Sequence, residues 1–129
     1  MYILVTNNPL VKEQYRSNFR VIFIDTGVIG ILTHIRDKIH IGHRLLTHPL
    51  SGSIKPNESP YKSVLLTEEN KQTGTIPQTD FRSVEIIEES IKTAQKFPHR
   101  SISGQDLHDK QVVDLSLIST IADRLIKEG

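Results

Sequence analysis

YILVTNNPLVKEQYRSNFRVIFID, Tyr2 to Asp25, is the stretch on which the fold turns. Tyr2–Thr6 is a continuous apolar run rich in β-branched residues, which suits a strand buried on both faces of a parallel sheet. Asn7-Asn8-Pro9 stops it sharply, because the proline ring bars a helical conformation at Asn8. Val11–Ser17 reads as a short helix, and Arg20–Asp25 repeats the buried-strand pattern. Strand, helix and strand in that order open an α/β alternation.

Downstream the period changes. Val28, Ile31, Ile35 and Ile39 are spaced three and four apart, the apolar stripe of an amphipathic helix, and Gly42 follows as its C-cap. His43–Thr47 is short and apolar in the middle and reads as a third strand; Ser63–Thr67 reads as a fourth. Glu68–Thr79, with Gly74 and Pro77 and no periodicity, reads as a surface excursion. Asp80–Lys96 is a helix with Val84, Ile87, Ile91 and Ala94 inward, Glu85, Glu88, Glu89 and Lys92 outward, and Asp80 as its N-cap. Phe97–Lys110 is polar and irregular. For the last element two readings stand: Gln111–Leu115 as a fifth strand before a helix, or one helix running from near Asp109. On either reading Ile118, Ile121, Ala122 and Leu125 face something apolar. The expectation is a single layered α/β domain over residues 1–129, with a mostly parallel central sheet of four or five strands flanked by helices.

Composition narrows the function classes. Among 129 residues, 36% are hydrophobic and 24% charged, with a formal net charge of +1. Basic residues are scattered, so a nucleic-acid partner is not expected. There is no cysteine, which excludes disulfides, thiolate catalysis and Cys-ligated metal centres. No segment reaches the roughly 18 apolar residues of a membrane helix, and the apolar start is too short for a signal sequence. The expected location is the cytoplasm.

The segment most suggestive of a site is THPLSGSIKPNESPYKS, Thr47 to Ser63, with three prolines, one glycine and four serines. Loops of that length between apolar elements are commonly functional. Ser51-Gly52-Ser53 offers successive backbone N–H groups and two hydroxyls, an anion-sized concavity. Lys55 and Lys62 add charge, while Asn57, Ser59 and Tyr61 add directional hydrogen bonds. The competing reading is a long loop whose Ser, Asn and Pro satisfy only its own backbone. Ligands of parallel α/β sheets sit beyond the carboxyl ends of strands, so Thr6, Asn7 and Asn8 are expected to converge there with Thr47 and His48.

Known motifs are absent. Gly52 stands alone, so this is no phosphate-binding P-loop, and Gly27 and Gly30 make no dinucleotide fingerprint. No nucleophile-elbow pattern surrounds any serine. The six histidines suggest no metal set: Gly42 separates His40 from His43, and in an extended strand His43 and His48 point to opposite faces. His48 is the one histidine placed for acid–base work, against a simpler role in pinning the loop.

VTNNPLVKE (Val5–Glu13), GHRLLTHPLSGSIKPNESPYKSVLL (Gly42–Leu66), IIEES (Ile86–Ser90) and VDLSLI (Val113–Ile118) resemble the GrdX-type proteins. These are encoded beside the selenium-dependent glycine, sarcosine and betaine reductases of amino-acid-fermenting anaerobes. The resemblance implies an accessory role in such a reductase system and carries no catalytic residues to transfer. The resulting expectation is an accessory or sensory protein that binds a small anionic metabolite bearing a phosphate or carboxylate. Its site would comprise Thr6, Asn7, Asn8, Thr47, His48, Ser51, Gly52, Ser53, Lys55, Asn57, Tyr61 and Lys62. The alternatives are an enzyme of small-molecule or phosphoryl chemistry using His48, or a docking module for a reductase subunit. No metal, cofactor or membrane partner is expected, and the C-terminal helix is a candidate homodimer contact.

Overall fold

The computed structural model describes residues 1–50, 59–68, 78–97 and 104–129. β1 (Ile3–Thr6) is buried along its whole length, as its unbroken apolar run demands. Asn8 then closes the strand and opens α1 (Pro9–Tyr15). Its backbone is extended, its side chain accepts a hydrogen bond from the Leu10 N–H at 3.0 Å, and Pro9 occupies the first helical turn, where no N–H is needed. β2 (Arg20–Phe23) follows and pairs with β1 in parallel, Ile3 opposite Arg20 and Thr6 opposite Phe23. It is an edge strand and half-exposed, where the sequence suggested a strand buried on both faces.

α2 (Val28–His40) and α3 (Phe81–Gln95) fall on the two predicted stripes. Gly42 takes a φ of 112°, a conformation costly for residues with a Cβ, and turns the chain out of α2. Asp80 caps α3 by accepting from Ser83 N–H and Ser83 Oγ at 3.2 and 2.6 Å, and those bonds hold its carboxyl below the ordinary value. β3 (Ser63–Leu66) runs antiparallel to β1, Thr6 opposite Ser63 and Ile3 opposite Leu66. α4 (Gln105–Glu128) ends the chain.

The sheet therefore has three strands in the order β2-β1-β3 and is mixed, which corrects the expectation of four or five mostly parallel strands. Two segments account for the difference. His43–Thr47 does lie against the outer side of β3, yet it makes only one isolated bridge, Leu45 to Leu66. Around that bridge Leu46 N–H reaches the Leu65 carbonyl and Thr67 N–H the Arg44 carbonyl, but Arg44 N–H goes to Thr67 Oγ1, and Leu45 N–H binds Ser83 Oγ of α3. The Leu65 N–H in turn reaches Thr47 Oγ1 instead of a carbonyl. Side-chain hydroxyls thus take the bonds a ladder would have used.

Gln111–Leu115, the other candidate strand, is helical. α4 starts at Gln105, so the stretch up to Lys110 expected to be irregular is its first turns. Asp114, Ile118 and Ala122 are its buried residues, four apart, so the helical period continues through the disputed segment. Of the surface excursion expected over Glu68–Thr79, residues 69–77 lie outside the described residues.

Each face of the sheet carries two helices. Ile3, Val5, Val64 and Leu66 pack under α2 and α3 through Ile31, Ile35, Ile39, Ile87 and Ile91. Leu4 and Leu65 point the other way, onto α1 and α4 through Val11, Ile118 and Ala122. Tyr15 joins that second layer. Its hydroxyl lies 2.7 Å from Ser119 Oγ and 2.8 Å from Asp123 Oδ1, tying α1 to α4, and burial pushes its pKa up. No helix among the described residues is long and apolar enough to cross a membrane.

Candidate functional site

Thr6 is the last residue of β1, and beyond it the chain must pass over the end of the sheet with its polar groups satisfied. Asn7 and Asn8 do this in opposite directions. Asn7 Nδ2 donates to the carbonyls of Thr26 and Pro60 at 2.7 and 2.8 Å, and its Oδ1 accepts from the Lys62 N–H at 2.8 Å. One side chain thereby joins the segment after β2 to the approach to β3. Asn8 Nδ2 donates to the Gln111 carbonyl and to Asp114 Oδ2, at 2.9 and 3.0 Å, so it fastens α4 to the same edge.

A buried hydroxyl pair completes the end of the sheet. Thr6 Oγ1 and Ser63 Oγ are 2.7 Å apart across the β1–β3 register, Asn8 N–H donates to Thr6 Oγ1, and Ser63 Oγ donates to Asp114 Oδ2 at 2.7 Å. Beside this group Gln111 Nε2 donates to the Tyr61 hydroxyl at 2.7 Å. The edge thus draws on β1, β3 and α4 and is closed by a carboxylate.

Two charged groups stand in it against the pull of solvation. Asp114 is only 7% exposed, and burial raises its pKa above the ordinary carboxylate value, against hydrogen bonds from Asn8 and Ser63 that lower it. Lys62 is half-buried, and burial lowers its ammonium pKa, against the field of Asp114. They do not form a direct ion pair. The ion pairs among the described residues are the Met1 amino group with Glu68 and Arg16 with Glu13 at 3.6 Å. Titratable groups perturbed by burial occur both at functional sites and in structural hydrogen-bond networks.

The acid leaves a measurable trace. A carboxyl whose folded pKa is raised contributes stability below its unfolded value, here 3.8, and loses that contribution as pH rises through the folded value. Asp114→Asn keeps an oxygen for Asn8 and Ser63 but cannot ionise. Its stability relative to wild type is expected to improve progressively as pH is raised from about 4, followed by urea unfolding at each pH. Parallel curves for the two proteins would contradict the burial cost.

The sequence-derived candidates sort as follows. Thr6, Asn7 and Asn8 meet Tyr61 and Lys62 at this edge, with their side-chain bonds made to protein partners. Thr47 runs along the outer side of β3 toward the same end, and its hydroxyl accepts from Leu65 N–H at 3.1 Å. His48 is exposed, and its Nδ1 accepts from the Leu50 N–H at 3.1 Å, a local bond that pins the start of the loop. Ser51, Gly52, Ser53, Lys55 and Asn57 lie outside the described residues.

Sequence reasoning missed Asp114, Gln111 and Ser63. The one signal for Asp114 was an acid on the apolar period of α4, four residues before Ile118. No group of three or more His, Asp or Glu side chains placed to hold a metal occurs among the described residues.

The family model described as GrdX-like protein matches residues 3–123. The chain belongs to that family, as the motifs from Val5 to Ile118 suggested. No curated protein and no solved structure matches it.

Proposed function

We propose, from a chain whose membership of the GrdX-like family is the premise, an accessory or sensory role exercised by binding a small anionic metabolite at the carboxyl edge of β1. The observation that carries the reading is Lys62. Asn7 grips its backbone N–H, partial burial disfavours its charged form, and no carboxylate makes an ion pair with it among the described residues. A cation so held gains more from an incoming phosphate or carboxylate than a freely hydrated lysine does. Tyr61 stands beside it with a hydroxyl proton left to donate, since its oxygen accepts from Gln111. The five loop residues from Ser51 to Asn57 named above are proposed as the remaining contacts on their sequence chemistry alone. The linkage to a glycine- or betaine-reductase system, through a metabolite or a reductase subunit, belongs to this proposal as well.

The test is a thermal-shift titration at fixed pH and ionic strength with inorganic phosphate, acetyl phosphate and acetate. A ligand that binds only the folded chain at a hundredfold excess over its Kd stabilises by about 2.7 kcal/mol, so saturation is visible. Wild type is expected to show a saturable shift that Lys62→Met abolishes. Lys62→Met alone is expected to be at least as stable as wild type at neutral pH, because it removes a charge that burial disfavours. A flat response to every anion, or a shift unchanged in Lys62→Met, overturns the reading.

A further inference from the structure

α4 carries more apolar surface than the sheet takes. Asp114, Ile118 and Ala122 are its buried residues, yet Val113 and Leu117, one turn apart, are 37% and 38% exposed on a neighbouring face. They belong to a stripe that runs the length of the helix at three- and four-residue steps. Toward the amino end it continues through Asp109 and Asp106, and toward the carboxyl end through Thr120, Arg124 and Lys127. All of these are exposed. The stripe is not the flank that α1 approaches, because Tyr15 meets α4 at Ser119 and Asp123.

The four charges of the stripe make no ion pair among the described residues, and Asp109 accepts from Gln105 Nε2 of its own helix at 3.1 Å. The helix dipole favours an acid in the first turn and a base in the last, which covers Asp106 and Lys127, but its effect has faded by Asp109 and Arg124. It gives no reason for a valine and a leucine between them to face water. The order acid, apolar, base does have a symmetry. Asp106 and Lys127, Asp109 and Arg124, and Val113 and Thr120 are each equidistant from a point between Ser116 and Leu117. A second α4 laid antiparallel across that point brings the acids of each stripe onto the bases of the other.

We propose that this stripe is the contact between two copies of the chain, related by a two-fold axis through the middle of α4. Leu117 packs beside its own copy at the axis, Val113 meets Thr120 of the partner subunit, and each acid–base pair forms twice. The apolar centre fits a parallel or an antiparallel neighbour alike, and the charges select the antiparallel one. Half-buried Lys110 and exposed Glu128 border the stripe and oppose this pattern, which weakens the contact. A handful of residues a side, against about 20–30 in an interface of standard size, makes a reversible dimer whose population depends on concentration. The proposal is independent of any ligand at the end of the sheet.

The test is sedimentation equilibrium of the full chain at low salt, from about 10 μM to about 1 mM, the range in which so small a contact associates. Wild type is expected to pass from monomer toward dimer, and added salt to reverse it. Asp109→Arg and Arg124→Asp each set like charges face to face at both ends of the contact. Each is expected to weaken self-association by about tenfold or more. Mixed in equal amounts, the two variants are expected to associate at least as well as wild type, because each offers the charge the other now faces. That recovery is a signal no misfolded variant produces, and circular dichroism confirms that both exposed substitutions leave the helices intact. Wild type that stays monomeric to about 1 mM overturns the proposal. So does a dimer that both variants leave unchanged, since it would run through another face, and so does a mixture no more associated than its two components.

Discussion

Asn8→Ala is expected to lower the free energy of unfolding by about 2–4 kcal/mol, the largest single effect of any polar substitution considered. Asn8 is fully buried and uses every hydrogen-bonding group of its side chain. Its Oδ1 caps α1 through Leu10, and loss of such a cap costs about 0.5–2 kcal/mol. Its Nδ2 serves the Gln111 carbonyl and Asp114, and stripping a buried acceptor of its donor costs about 1–3 kcal/mol. Ser63 still donates to Asp114 in the variant, which keeps the total below the simple sum. Chemical denaturation gives the value, and a loss under 1 kcal/mol would mean that α4 is not fastened to the sheet through this side chain.

Asn8→Asp separates the two roles. It preserves the capping oxygen but sets a second carboxyl against Asp114 Oδ2, 3.0 Å from the present amide. Like charges so placed raise the pKa of one of them further, so the folded state holds the shared proton more tightly than the unfolded chain. The variant is expected to be destabilised at neutral pH and to recover as pH falls toward 4. An unchanged deficit across that range would exclude electrostatic repulsion as its cause.

Gly30→Ala is expected to destabilise by about 1–3 kcal/mol, as overpacking does. The sign is the informative part, because in an ordinary helix interior alanine is favoured over glycine by about 1 kcal/mol. A Cβ at Gly30 in α2 would overlap Thr26 Oγ1, and would lie 2.7 Å from Thr26 Cγ2 and 2.9 Å from Thr26 Cβ. The last of these is no flexible tip, so the segment before the helix must move. The Thr26 carbonyl accepts from Asn7 Nδ2, and displacement there reaches the clamp on Lys62. Thr26→Gly removes all three contacts, so the double variant Thr26→Gly/Gly30→Ala is expected to regain most of the loss. A Gly30→Ala protein as stable as wild type would show that this helix entry yields freely.

Local patterns were legible wherever a side chain's fate is settled by its own neighbours in sequence. The stripes of α2 and α3 depend only on apolar spacing, and both helices form where that spacing places them. Asp80 caps α3 because the N–H it accepts from is three residues away. By contrast, strand direction and partner choice have no local signature. An apolar run such as Ser63–Leu66 reads the same whether it joins the sheet parallel or antiparallel. The short segment His43–Thr47 has the composition of a strand and lost ladder bonds to the hydroxyls of Thr67 and Thr47, which take the Arg44 and Leu65 N–H groups.

Asp114 marks the boundary most sharply. Its partners Ser63 and Asn8 are 51 and 106 residues away in sequence. By itself the sequence determined the family, the α/β class and the apolar faces of α2 and α3, because these follow from motif, composition and period. Only the tertiary structure decided that β3 turns back against β1, that α4 is one helix, and that a buried acid takes hydrogen bonds from Asn8 and Ser63 at the end of the sheet. Those outcomes depend on which distant groups meet, and burial fixes their energies only once they have met.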